Sequence, residues 1–79
     1  MSEINNAVKL VILKKKKAIY EQSYYSFSID LKVAEDIGDK EMREEAVGRM
    51  VKIKGAMESL DKLIGPLEKN VKDSVSKSK

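Results

Sequence analysis

Residues 24–42 read YYSFSIDLKVAEDIGDKEM, and two features within them decide the fold. The first is an alternation. Tyr25, Phe27, Ile29, Leu31 and Val33 occupy the odd positions, and Ser26, Ser28, Asp30 and Lys32 the even ones. Strict alternation with β-branched and aromatic residues is a strand signal. The second feature is Ile37-Gly38-Asp39. Gly38 can take the left-handed position that ends a helix, and the Asp39 carboxylate can cap the next one. Glu41, Glu44 and Glu45 follow in the first turns of that next helix, where the macrodipole favours negative charge. An α+β fold with a strand near 24–33 therefore competes with a helix ending at Gly38.

The flanking residues decide between the two. Downstream, Met42, Ala46, Met50, Ile53, Met57, Leu60 and Ile64 recur every three or four residues, a single apolar seam on a helix over about 40–64. Upstream, the alternating residues also fit a helix with two apolar rows. One row is Leu13, Tyr20, Tyr24, Phe27, Leu31 and Ala34; the other is Ile4, Val8, Val11, Ala18, Tyr25, Ile29 and Val33. If the chain turns back at Gly38-Asp39, facing residues have numbers summing to about 77. Leu13 then meets Ile64, Tyr20 meets Met57, Tyr24 meets Ile53, Phe27 meets Met50, Leu31 meets Ala46 and Ala34 meets Met42. Only Lys17 opposite Leu60 departs, and a lysine stem can cover a leucine while its ammonium reaches water. A strand accounts for none of this register. The expected fold is all-α: an antiparallel hairpin with a helix over about 3–36, a turn at 37–39 and a helix over about 40–64.

Gly65-Pro66 reads as a second stop, dividing the chain into a hairpin, 1–65, and a Lys/Ser-rich tail, 66–79. Leu67, Val71 and Val75 at four-residue spacing permit a short helix starting at Pro66. Within the second helix Gly48, Gly55 and Ser59 form a small-residue row, which either admits a closely packed helix or is merely tolerated.

The hairpin leaves the second row of its first helix without a partner. Val8, Val11, Ala18, Tyr25, Ile29 and Val33, flanked by Val47 and Val51, would expose an apolar stripe larger than a soluble monomer usually carries. The expectation is that a second copy covers it, giving a homodimer or larger assembly built as a four-helix bundle.

Composition narrows the chemistry. The 79 residues include no Cys and no His, so there is no disulfide, no thiolate, and neither of the usual nitrogen and sulfur metal ligands. Paired carboxylates such as Glu35/Asp39, Asp36/Asp39 and Glu41/Glu45 lie near an exposed turn, where capping and solubility account for them. Acid–base work would need one of each pair desolvated. Asp36 to Glu45 lacks the oxygen-ligand pattern of a calcium loop, and no glycine-rich phosphate loop is present. A non-enzymatic protein without metal or cofactor is expected.

Net charge is +3, unevenly spread. Residues 1–20 carry five Lys against one Glu, a net +4, and residues 21–39 one Lys against five acids, a net −4. Lys14, Lys15, Lys16 and Lys17 form a collar about the helix, a candidate polyanion contact. Tyr20, Tyr24, Tyr25 and Phe27 follow it, as stacking residues do in single-strand binders, but three of the four already have seam partners. Arg is confined to Arg43 and Arg49, which argues against base-specific readout. Weak, nonspecific nucleic-acid binding is the expected limit. Val8 to Lys17 has the make-up to lie on an anionic membrane, but no stretch approaches the roughly 18 apolar residues of a span. The lysines follow the apolar run instead of preceding it, unlike a secretory signal. A soluble cytoplasmic protein is expected, with itself and another protein as partners.

Val33-Ala34-Glu35-Asp36-Ile37-Gly38-Asp39-Lys40-Glu41-Met42 resembles the turn of short helical-hairpin proteins often encoded by phages and mobile elements. The likeness covers about half the chain. It implies the hairpin fold and little about function. The unpaired stripe gives the expected function, a non-enzymatic interaction protein, an adaptor or inhibitor of phage or mobile-element type docking on a larger protein. A small nucleic-acid-associated protein using the basic end is the alternative. A helical bundle of the bacteriocin-immunity kind is a more distant alternative.

Overall fold

A computed structural model describes residues 5–77, with side chains described as far as Asn70. Two helices, α1 (Asn6–Ile37) and α2 (Lys40–Lys77), account for nearly all of it. The α1 N-terminus is set by Asn5, whose Oδ1 accepts the Val8 N–H at 2.9 Å. This satisfies one of the four amides a helix start leaves without a partner.

The alternation at Tyr25–Val33 is helical. Phe27 and Leu31 are half-buried toward α2, while Tyr25, Ile29 and Val33 are exposed on the opposite side. Every second residue is apolar because two faces of one helix are apolar, and each takes every fourth residue. Among the described residues there is no strand.

The turn closes in two residues. Gly38 lies at φ 73°, ψ 27°, the left-handed region. Its N–H donates to Glu35 O at 3.3 Å and the Asp39 N–H to Ala34 O at 2.9 Å, the paired bonds of a Schellman ending. The Asp39 carboxylate then accepts the Met42 N–H at 2.9 Å and starts α2. A Cβ added at Gly38 would meet nothing within 4 Å, so side-chain crowding is not what selects glycine there. Gly38→Ala should therefore cost about 1–2 kcal/mol through the backbone alone. Urea unfolding checks this, and a neutral substitution would mean the turn relaxes to another geometry.

The expected stop at Gly65-Pro66 is not made: α2 continues through both residues to Lys77. A proline inside a helix removes one amide donor and crowds the carbonyl four residues back, at about 3 kcal/mol. Gly65 and Pro66 both lie on the exposed side of α2, where water can take the freed carbonyl. Leu67 is meanwhile half-buried and extends the seam by one position, with Leu10 half-buried on α1. Glu68, the next residue, reaches Lys14 Nζ at 2.9 Å. Packing and charge from α1 thus offset the local breaker, and 66–77 is the last part of α2 and not a separate tail. Ile4 lies outside the described residues, as do the side chains of Val71 and Val75.

Seam residues on α1 (Leu10, Leu13, Lys17, Tyr20, Tyr24, Phe27, Leu31, Ala34) alternate spacings of three and four. From Ala46 to Leu67 the α2 seam does the same, the heptad spacing of a left-handed two-helix coil. Ion pairs near both ends hold the expected register to within one residue: Lys17 Nζ–Asp61 Oδ1 at 2.7 Å and Arg43 Nε–Glu35 Oε2 at 3.8 Å. The molecule measures 59 × 28 × 14 Å, so its thin dimension is about one helix diameter. A single layer of two helices cannot enclose much. Among the described residues only Ala34, Ala46, Leu60 and Ile64 are buried.

Candidate interaction face

The seam determines what its opposite side presents. Because the α1 seam repeats every seven residues, residues seven apart hold a constant position relative to α2. Val11, Ala18 and Tyr25 form one such row, Ile12, Ile19 and Val33 fall on a second, and Val8 and Ile29 on a third between them. All eight are exposed. Tyr25 is 68%, Ile19 61%, Val11 52% and Ile29 47% accessible, values that place them well clear of α2. Among the described residues nine large apolar side chains on α1 are exposed against three on α2, so the apolar surface belongs to α1.

Every residue expected on the outward stripe within the described range is therefore exposed. That holds for Val8, Val11, Ala18, Tyr25, Ile29 and Val33, and for Val47 and Val51 on α2. Ile12 and Ile19 belong to the same face but fall in neither row of the sequence reading. Their signal was the seven-residue spacing, visible once Leu10 is counted with the seam. Between them the rows cover the side of α1 away from α2 from its first turn to its last.

The outer side of α2 differs. Glu44, Glu45, Lys52, Glu58, Ser59, Lys62 and Lys69 are exposed along it. Gly48 and Gly55 lie there too, and a Cβ at either would meet nothing within 4 Å. Within the hairpin these glycines admit no close neighbour.

No protein-family model, curated protein or solved structure matches the chain. Its own chemistry must indicate what the α1 face does.

The lysine collar is divided by its surroundings. Lys14 pairs with Glu68 and Lys17 with Asp61, both across the seam. Lys15 and Lys16 make no ion pair among the described residues. The bond to Asp61 raises the Lys17 pKa above the ordinary 10.5, helped by the nearby carboxylates of Glu21 and Glu68 and opposed by desolvation. A raised value means the pair contributes fully below the ordinary lysine range, and the contribution is lost as pH climbs through the folded-state value. Lys17 thus acts within the seam, at the register position opposite Leu60, which is only 9% exposed.

At the open end of the hairpin, Ile12, Leu13, Leu63, Pro66 and Leu67 line an open groove of about 500 Å³, with Lys9 and Lys62 also lining it. Ile12 links this groove to the outer face of α1. Tyr24 and Phe27 are half-buried on the seam and Tyr20 sits at its margin, so these three aromatics beside the collar serve packing, while Tyr25 is exposed on the outer face. Among the described residues no group of three or more carboxylates is placed to hold a metal ion.

Proposed function

We propose that this protein is a non-enzymatic helical interaction module that works as a homo-oligomer and in that form docks on a larger protein. Adaptors and inhibitors of phage or mobile-element type would act in this way. The observation that supports it is the exposed, largely apolar face of α1, interrupted by Lys15, Gln22 and Ser26, opposite a seam that already uses the other side of the helix. A soluble chain seldom leaves so long a stripe in water. A hairpin one layer thick, with four buried residues among those described, also gains more from association than from its own interior. On this reading the protein is cytoplasmic. Among the described residues no helix is long and apolar enough to cross a membrane.

Sedimentation tests the reading. The protein should run as a dimer or larger at about 10 μM, with a melting temperature that rises with concentration. A fully folded monomer at that concentration would remove the case for self-association.

A second reading rests on Lys15 and Lys16, whose ammonium groups have no acidic partner among the described residues. They could contact phosphates. Such binding should be weak and sequence-independent, on the order of 10–100 μM at physiological salt. Replacing Lys14, Lys15, Lys16 and Lys17 by Gln should nearly abolish it. Submicromolar binding at about 150 mM salt, surviving excess competitor, would reverse the order of the two readings.

A further inference from the structure

We infer that the outer face of α1 is occupied by a second copy of this chain laid antiparallel to the first, α1 against α1, with the twofold axis crossing near Gln22. The inference rests on the reading of the protein as a homo-oligomer, and it specifies which helix lies at the centre and which way the partner points.

Charge sets the direction. From Asn6 to Tyr20, α1 carries five Lys and no acid; from Glu21 to Ile37 it carries four acids and one Lys. Part of each half is satisfied within the hairpin, Lys14 and Lys17 by acids of α2 and Glu35 by Arg43. Lys15 at one end and Asp36 at the other make no ion pair among the described residues. Lys16 and Asp30 fall on a row beside the seam, with Asp30 half-buried in the groove lined by Phe27, Met42 and Ala46. Lys15 and Asp36 stand on the same outward row as Val8, Gln22 and Ile29, at seven-residue intervals. A copy turned end for end sets the basic half of each α1 against the acidic half of the other. A copy in the same direction sets lysines against lysines and carboxylates against carboxylates.

Shape points the same way. With the axis near Gln22, Ala18 of one copy meets Tyr25 of the other, small against large; Ile12 meets Val33, Val8 meets Asp36 and Lys15 meets Ile29. A parallel copy in register would stack Tyr25 on Tyr25 and leave Ala18 against Ala18. Gln22 meets its own counterpart at the axis, where two side-chain amides can exchange hydrogen bonds. The charged outer side of α2 remains in water on both flanks, so the order across the assembly is α2, α1, α1, α2. Such an interface is isologous and closes at two copies.

The chain contains no Cys, so each of Gln22→Cys, Ile12→Cys and Val33→Cys introduces the only thiol. All three positions are exposed in the hairpin, and the seam is untouched by the substitutions. With a short bismaleimide, Gln22→Cys should link to itself. Ile12→Cys alone and Val33→Cys alone should stay unlinked, and their mixture should link. The wild-type dimer should also weaken, by about tenfold or more, between 50 and 500 mM salt, because screening removes attraction between opposite charges. Self-linking of Ile12→Cys and of Val33→Cys, with a dimer strengthened by salt, would show a parallel pair; the orientation would fall and the homo-oligomer would stand. A dimer in which neither Gln22→Cys nor the mixture links would place the interface elsewhere and overturn the inference. A folded monomer would instead overturn the reading beneath it.

Discussion

Ile29→Asp should leave the protein monomeric at concentrations where the wild type is assembled. Ile29 is 47% exposed in the lone hairpin, on the outward row of α1. The substitution therefore disturbs no seam contact. In the assembly it would bring a carboxylate into an apolar interface, once from each copy. Burying a charge costs several kcal/mol, and pairing with the Lys15 that the antiparallel register sets opposite position 29 does not repay that desolvation, so a small dimer should dissociate. Folding and association are coupled in a chain with so little interior, so helix content should also fall at low concentration. Ser59→Asp adds the same charge on the outer side of α2 and should change neither quantity. Sedimentation and far-UV circular dichroism across a dilution series read both. Wild-type sedimentation of the Ile29→Asp protein would sink the proposal that this face is an interface.

Leu60→Ala should destabilise the protein by about 2–3 kcal/mol, while Leu63→Ala should cost less than about 1 kcal/mol. The two leucines are three residues apart on α2 and differ only in where the helix turns them. Leu60 is 9% exposed on the seam, whereas Leu63 is 56% exposed. Truncating Leu60 removes apolar contacts and leaves a gap in the seam. The loss is large beside the stability of a small domain, typically 5 kcal/mol or somewhat more. Urea unfolding at one fixed protein concentration measures both variants. Equal effects would mean that the α2 seam is not the principal source of stability.

Much of the fold was legible because two independent signals agree. Gly38-Asp39 marks a turn by its backbone requirement, and the apolar residues on either side match about that turn. The alternation at Tyr25–Val33 misleads only when taken alone, since a helix apolar on two faces also places an apolar residue at every second position. Pro66 was read by its local cost. What carries α2 past it is the half-buried Leu67 and the Lys14–Glu68 pair, both of which depend on residues more than fifty positions away. The same distance hid the division of the lysine collar, because the partners of Lys14 and Lys17 lie on the other helix. The outward stripe was legible as an unpaired row. Its full width was not, because Ile12 and Ile19 join it only when the helix is wound at seven residues per two turns.

The matching of the two helices about Gly38-Asp39 also sets an order of events in time. Near the turn, the register pairs Ala34 with Met42 across a short loop; at the far end, Leu10 and Leu67 belong to a loop that spans most of the chain. Loop closure is least costly when the intervening chain is short, so contacts should form from the turn outward, each pair shortening the search for the next. In stopped-flow experiments Gly38→Ala should slow folding and Leu67→Ala should mainly speed unfolding. Equal effects on the two rates would mean that the open end is already docked at the barrier. The hairpin closes as a zipper, and its two-residue turn is the end from which the zipper runs.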